Sequence, residues 1–153
     1  YWNNNALRNA VEGEMWPSQS VKYILWRYEN HLHKNGKGGY KSLSPEDLRT
    51  MTVEHIMPQT LPEGPDTGYD LFDGADSESR RMSYTNQLGN YIMISASHNS
   101  SIGNGSFSEK RKTYCYGYQQ REIQDMTSGR DSWTCADIDE RRQKLVAFVL
   151  EDL

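Results

Sequence analysis

The chain has 153 residues, 17 basic and 21 acidic, and its formal net charge of −4 excludes a strongly basic protein that coats nucleic acid. Its ten Tyr, four Trp and three Phe supply enough large apolar side chains for one modest core, so a single domain is expected. No run approaches the roughly 18 apolar residues that cross a bilayer, and Cys115 and Cys135 form no C-x-x-C pair, so we expect a soluble, cytoplasmic protein with reduced thiols and no membrane segment.

The first predicted elements are a helix and a short strand. Apolar residues spaced three and four apart predict a helix over about 20–33, with Ser20 as its N-cap. The glycine-rich run 34–39 ends this helix and is expected to be a flexible link. Residues 44–47 resemble a helix start, and the β-favouring segment 52–57 predicts a strand that ends at Pro58.

A long surface insertion is predicted between residues 58 and 87. Six acidic residues and no basic residue lie between positions 62 and 79, and one helical turn is expected near residues 78–82. The acidic residues lack the alternate spacing and the central glycine of a calcium-binding EF-hand loop. We therefore expect a solvated loop that is autoinhibitory or faces a partner.

The second half of the chain predicts a strand and two capped helices. The strand covers residues 91–94 and is followed by a polar, turn-rich segment over 95–105. A capping box at Ser106-Phe107-Ser108-Glu109 begins a helix that extends to about Tyr118. Thr134 caps a last helix over about 134–151.

The order of these elements, with His55 at a strand end, resembles the HNH nuclease family. The resemblance rests on residues 54–59, 88–94, 98–100 and 107–110. It is specific to the branch at the C-terminus of GmrSD-type modification-dependent restriction enzymes, and it is also similar to the nuclease end of the phosphorothioate-sensing SspE proteins. It implies an α+β, mostly helical domain around a ββα-metal (HNH) finger.

The resemblance also implies how the chain is organised. It predicts one HNH domain over residues 1–153, with a ββα-metal core over about 50–118 and flanking helices over about 20–33 and 134–151. The chain starts without methionine, so we expect it to be the C-terminal part of a longer protein. An N-terminal NTPase or modification-sensing domain, in the same or a partner chain, would then decide when cleavage occurs.

The candidate catalytic centre combines a histidine with oxygen ligands. His55 is predicted to be the general base, because its near-neutral pKa lets it accept a proton from water and the strand end fixes its ring. The resemblance implies that Glu54 and Asn99 hold one Mg²⁺ or Mn²⁺ ion, for which oxygen ligands are suited. His98 remains the alternative to Asn99 as the second ligand.

Four further residues are candidate site residues. Asn90 is expected to be the middle Asn of the H-N-H pattern, with an amide that fixes the loop carrying the histidine. Lys110 is a candidate catalytic residue that reaches phosphate from the start of its helix. Arg111 and Asn104 join Lys110 as candidate nucleic-acid contacts.

These residues predict a metal-dependent endonuclease that nicks or cuts DNA, and the resemblance places it in bacterial anti-phage restriction. Two alternatives stay open. One is a degenerate finger that only binds DNA or dimerises; the other is an RNase, because both nucleic acids share the phosphate on which such a site acts. Cleavage of a supercoiled plasmid, with an RNA control, separates the three hypotheses.

Overall fold

The computed structural model describes residues 4–36 and 38–153, which form helices around one two-stranded sheet. This confirms the α+β, mostly helical fold class. Before the second strand the chain makes a single 3₁₀ turn over Leu88–Asn90. The helices and strands of the described residues are α1 (Asn4–Glu12), α2 (Gln19–Asn35), α3 (Pro45–Thr50), β1 (Thr52–His55), α4 (Ser77–Thr85), β2 (Tyr91–Ile94), α5 (Ala96–Ile102), α6 (Phe107–Thr113), α7 (Tyr118–Met126) and α8 (Cys135–Asp152).

The sheet lies between two hydrophobic cores. β1 and β2 are antiparallel, with Glu54 opposite Ile92 and His55 opposite Tyr91. Because side chains alternate across a strand, Tyr91 belongs to a core with α2 and α8, whereas Ile92 belongs to a core with α6 and α7. All four residues of β2 are buried. The side chains of Glu54 and His55 therefore leave the strand on opposite faces of the sheet.

The elements with the strongest local signals were predicted correctly. β2 occupies the predicted residues, and α8 begins after Thr134, whose capping box with Asp137 is complete. The first predicted helix is present as α2, but its N-cap is Ser18 and not Ser20, because the Ser18 hydroxyl accepts the Val21 N–H. β1 is shorter than predicted and ends at His55.

Several predicted boundaries were wrong. The segment predicted as a polar loop contains α5, whose first turn is capped by the Ser95 hydroxyl on the His98 N–H. The helix predicted to reach Tyr118 ends at Thr113, and α7 begins at Tyr118. α4 is longer than one turn, and α1 was not predicted. These helices are only seven to nine residues long, and helices of this length depend on tertiary contacts for their stability.

α7 shows how such a contact acts. Its first N–H groups have no partner within the helix, which is general for helix starts. The Glu29 carboxylate of α2 accepts the N–H groups of Tyr118 and Gln119 at 2.7 and 2.9 Å. The cap of α7 thus comes from a residue about ninety positions earlier, which no local pattern reveals.

α8 is joined to the sheet through Gly89 and Arg141. A Cβ on Gly89 would lie 2.1 Å from the Ile138 carbonyl oxygen, so the turn before β2 requires glycine to approach α8. The fully buried Arg141 guanidinium donates to the Gly89 and Tyr91 carbonyls and to the Glu122 carboxylate. The C-terminal helix is therefore part of the support for the site.

None of the helices in the described ranges combines the length and the apolar composition that would let it span a membrane.

Candidate active site

A cleft of about 260 Å³ lies where β1 ends. The segment after β1, including Pro58 and Gln59, forms one side, and the end of α5 with the following turn forms another. The cleft brings together four of the residues predicted for the site: Glu54, His55, Asn99 and Asn104. They come from two chain segments more than forty positions apart in sequence, so the fold itself makes the cleft.

His55 is half-buried and its ring is held on two sides. Nε2 lies 3.2 Å from Asn86 Oδ1, and the ring packs edge to face on Tyr91 at 4.8 Å between centroids. With the amide oxygen as acceptor, the proton is on Nε2, and Nδ1 is the nitrogen left to accept one. Burial lowers the pKa of His55, opposed by the Asn86 hydrogen bond, so the ring is neutral near pH 7.

Asn86 is the residue that sequence reasoning missed. It follows α4, within the segment interpreted as a surface insertion, and it is fully buried. Its Oδ1 contacts His55 Nε2 and lies 3.2 Å from Tyr91 Oη, while its Nδ2 is buried without a partner in the described part of the chain. The position of Asn86 depends on the fold of the insertion, so no spacing in the sequence indicates its role.

Glu54 is a buried carboxylate with one oxygen in use. It is 3% exposed, and its Oε1 accepts a hydrogen bond from Lys110 Nζ at 2.7 Å. The other oxygen, Oε2, is buried and has no partner among the residues described. Burial raises the pKa of Glu54 to about 7 even though the Lys110 ammonium opposes this. The attraction of the Lys110 ammonium is therefore smaller than the cost of removing the charged Glu54 carboxylate from water.

Lys110 is placed differently from its prediction. It is fully buried, and Nζ donates to Glu54 Oε1 and to the carbonyls of His55 and Ile56, the latter two at 2.8 and 3.1 Å. All three N–H donors of the ammonium are thus used inside the protein. The predicted contact of Lys110 with phosphate is not the arrangement found, because the side chain instead holds the end of β1.

Of the other two predicted nucleic-acid contacts, one faces the cleft. Asn104 is exposed on the cleft lining. The Arg111 guanidinium donates to Thr127 Oγ1 at 2.8 Å and to the Gln124 carbonyl at 2.9 Å, which joins α6 to α7. Arg111 is therefore engaged in packing two helices and does not line the cleft.

Substitution of Lys110 by methionine is expected to destabilise the protein by about 3 kcal/mol, because it leaves a buried carboxylate and two carbonyls without their donor. Urea unfolding at pH 7 measures the change. Lys112→Met is the matched control, since Lys112 is exposed on the same helix. Equal stabilities of the two variants would show that the buried ion pair does not support the fold.

Asn90 fixes the segment that follows His55. Its Nδ2 donates to the Met57 and Thr85 carbonyls, and its Oδ1 accepts from the Met57 N–H and from Trp133 Nε1, at 2.8 to 3.0 Å. The Asn90 carbonyl also accepts the Ile56 N–H at 2.9 Å. These are the backbone hydrogen bonds that its predicted role requires. The effect of Asn90 on activity stays a prediction.

The cleft offers oxygen atoms to a cation. Asn99 Nδ2 donates to Thr52 Oγ1 at 3.0 Å, so the amide oxygen is the atom of this side chain that could hold a cation. His98 lines a different cavity, and its Nε2 is 2.7 Å from Thr113 Oγ1. No cluster of three or more His, Cys, Asp or Glu side chains occurs in residues 4–36 and 38–153. Glu54 Oε2, a buried acceptor without a donor, is the atom that fits a hard divalent ion.

The site therefore consists of a strand that ends in Glu54-His55, a second strand paired with it, and a helix, α6, that holds the end of the first strand through Lys110. The model of one family, GmrSD restriction endonucleases, C-terminal domain, matches residues 3–148. The chain belongs to this family, which makes it a nuclease domain of the restriction-endonuclease type, with DNA as the substrate that the family implies. No curated protein and no solved structure matches the chain.

Proposed function

We propose that this chain is an HNH-type endonuclease domain that hydrolyses DNA phosphodiester bonds with a divalent metal ion. The observation that carries the proposal is the cleft, which is lined both by a neutral histidine held by Asn86 and by a carboxylate whose Oε2 has no partner among the described residues. A histidine in this state accepts a proton, and a free carboxylate oxygen binds a cation. A module that only binds DNA needs neither group.

The residues have distinct tasks in this reaction. His55 takes the proton of the attacking water on Nδ1, while Asn86 holds the opposite side of the ring. Glu54 and Asn99 would hold Mg²⁺ or Mn²⁺, which when bound neutralises charge on the scissile phosphate and assists the leaving oxygen. Asn104, exposed on the lining, is in position to contact the nucleic-acid backbone. Lys110 and Asn90 hold β1 and the segment after it.

The biological setting follows from the family. We propose that the domain serves modification-dependent restriction in bacterial defence against phage, and that an N-terminal NTPase or modification-sensing domain licenses cleavage. The two cysteines are unpaired, which supports a reducing compartment such as the cytoplasm. A weakly acidic cleavage domain with a net charge of −4 gains from a partner that delivers DNA at high effective concentration.

The direct test of the proposed function is conversion of supercoiled plasmid to nicked or linear DNA with Mg²⁺, Mn²⁺ or EDTA. We expect products with either metal and none with EDTA. A single-stranded RNA of matched length is the second substrate. Cleavage of RNA alone would assign the domain to an RNase function, and DNA binding with no cleavage under any metal would favour the degenerate finger.

Glu54→Gln and Asn99→Ala are expected to raise the metal concentration needed for half-maximal cleavage at least about tenfold, because substitution of residues that merely support a metal ligand already lowers affinity about 10- to 100-fold. Glutamine keeps the acceptor for Lys110 and removes the charge. Mn²⁺ binding followed by electron paramagnetic resonance gives the same comparison without cleavage.

His98→Ala and the exposed Glu151→Gln are the matched controls for these two variants. Both are expected to bind Mn²⁺ like the unchanged chain. A loss of Mn²⁺ binding confined to His98→Ala would show that His98, and not Asn99, is the ligand.

A further inference from the structure

A second cavity, of about 750 Å³, lies against a different face of α5. α5 lines the cleft with Asn99, whereas it lines this cavity with Ala96, Ser97, His98 and Ser101. The remaining lining comes from α2 and the loop after it, the end of α3, β2, the end of α6, the segment before α7 and the first turn of α7. None of the residues assigned above to catalysis or metal binding lines this cavity.

Two buried polar side chains, Glu29 and Gln120, lie together on the cavity wall. Both are 4% exposed. Gln120 Oε1 accepts the Tyr116 N–H at 3.2 Å, which fixes the amide orientation, and Nε2 is left as a donor with no partner in the described ranges. The Glu29 oxygens each accept one backbone N–H, and each keeps a second acceptor site.

Gly117 keeps these atoms accessible. A Cβ at this position would lie 3.2 Å from Glu29 Oε2 and 3.7 Å from Gln120 Nε2. The absence of a side chain therefore leaves space directly in front of an acceptor and a donor that are close together. A ligand that enters this space can pair with the acceptor and the donor at the same time.

The rest of the cavity suits a flat, partly apolar ring. Met51 and Met93 provide apolar, adaptable surface. At the rim, Tyr116 is 74% exposed, which is unusual for a large aromatic side chain, and it packs edge to face on His98 at 5.7 Å between centroids. Aromatic side chains are the surfaces on which unpaired nucleobases stack.

We propose that this cavity binds an unpaired nucleobase, with Glu29 and Gln120 on its Watson–Crick edge and Tyr116 against its ring. The Watson–Crick edge of every base has an N–H donor next to an acceptor atom. The Glu29 carboxylate can accept from the donor, and the Gln120 amide N–H can donate to the acceptor. Base pairing hides that edge, so the base must be extruded or lie in a single strand. The site adds a second point of attachment for the strand to the proposed nuclease, and binding here does not depend on cleavage.

The test is a titration in which NMR follows the ¹³C-labelled methionine methyl groups of the 153-residue chain. EDTA is present throughout, so that no cleavage occurs. Titrants are the four 2′-deoxynucleoside monophosphates, a single-stranded octamer of mixed sequence and its blunt duplex. We expect the Met51 and Met93 methyl signals to move with mononucleotide and single strand, while those of Met15 and Met126 stay, because they do not line the cavity. Movement with mononucleotide alone would assign the cavity to a free nucleotide and not to the substrate strand.

Two variants examine the stacking and the edge contacts. Tyr116→Ala is expected to weaken binding about tenfold or more, as loss of one base-stacking side chain does. Gln120→Glu keeps the acceptor for the Tyr116 N–H and removes the donor, and a comparable loss is expected. Tyr23→Ala, at another exposed aromatic outside the cavity, is the control and should bind normally.

Unmoved Met51 and Met93 signals with every titrant would overturn the proposal, as would binding that both Tyr116→Ala and Gln120→Glu leave unchanged. Equal binding of the blunt duplex would also overturn it. His55→Ala should retain base binding. A chain that binds bases but cleaves nothing would therefore contradict the proposed nuclease function and support this base-binding site. A chain that cleaves DNA but binds no base would contradict the base-binding site and support the nuclease function.

Discussion

Substitution of His55 by alanine is expected to lower the plasmid-nicking rate by about 10² to 10⁴, the range that a positioned general base contributes. The ring is half-buried and contacts Asn86 and Tyr91, so its removal costs some packing but no backbone hydrogen bond. Nicking rates at saturating Mg²⁺ measure the loss, and far-ultraviolet circular dichroism measures whether the fold is kept.

His98→Ala is the matched control for this variant, because His98 is also half-buried and lines the other cavity. It should nick at the rate of the unchanged chain. If His55→Ala nicked plasmid at the full rate with an unchanged spectrum, His55 would not be the general base. The assignment of the surrounding cleft as the active site would then fail with it.

Substitution of Asn90 by alanine is expected to lower the free energy of unfolding by about 4 kcal/mol. Four hydrogen bonds are lost, and the groups left behind, on Met57, Thr85 and Trp133, are in a buried region where each unsatisfied group costs about 1–3 kcal/mol before relaxation. Cleavage should fall as well, because the segment after His55 loses its anchor. Urea unfolding gives the stability change.

Asn90→Asp separates the donors from the acceptors at this position. Aspartate keeps an oxygen for the Met57 N–H and for Trp133, but it places a second oxygen against two carbonyls, so it should be at least as destabilising as alanine. Asn5→Ala, at an exposed position of α1, should leave stability unchanged. A loss of cleavage at full stability in Asn90→Ala would contradict the anchoring role.

How much of the fold the sequence predicts depends on where the determining contacts lie. β2 and α8 are specified by local signals, a continuous apolar run and a capping box with a clear apolar stripe. α7 begins where a distant carboxylate of α2 caps it, and α5 is a short helix of weak helix formers. The distant cap leaves no local trace in the sequence, and the local cap of α5 by Ser95 is too weak a signal to separate a helix from a polar turn, so both helices were missed.

The same distinction holds for the site. Glu54 and His55 are adjacent in sequence, and the motif places Asn99 and Asn104 near them, so the cleft lining was predictable. Lys110 was expected to reach phosphate from the start of its helix, and nothing in the local sequence indicates that it is buried. Only the fold shows that its ammonium lies beneath β1, and only the fold brings Asn86 to the ring of His55.

The contacts made by α8 and by Trp133, which precedes it, determine how much of the chain must be kept when this domain is fused to another protein. A fragment of residues 50–118 would contain the catalytic motif but not Trp133, which hydrogen-bonds Asn90, nor Arg141, which holds the Gly89 and Tyr91 carbonyls. Such a fragment would expose both hydrophobic cores, so we expect that it does not fold by itself. Gene fusions that transplant this activity into a new architecture must move the helices from α1 to α8 as one block.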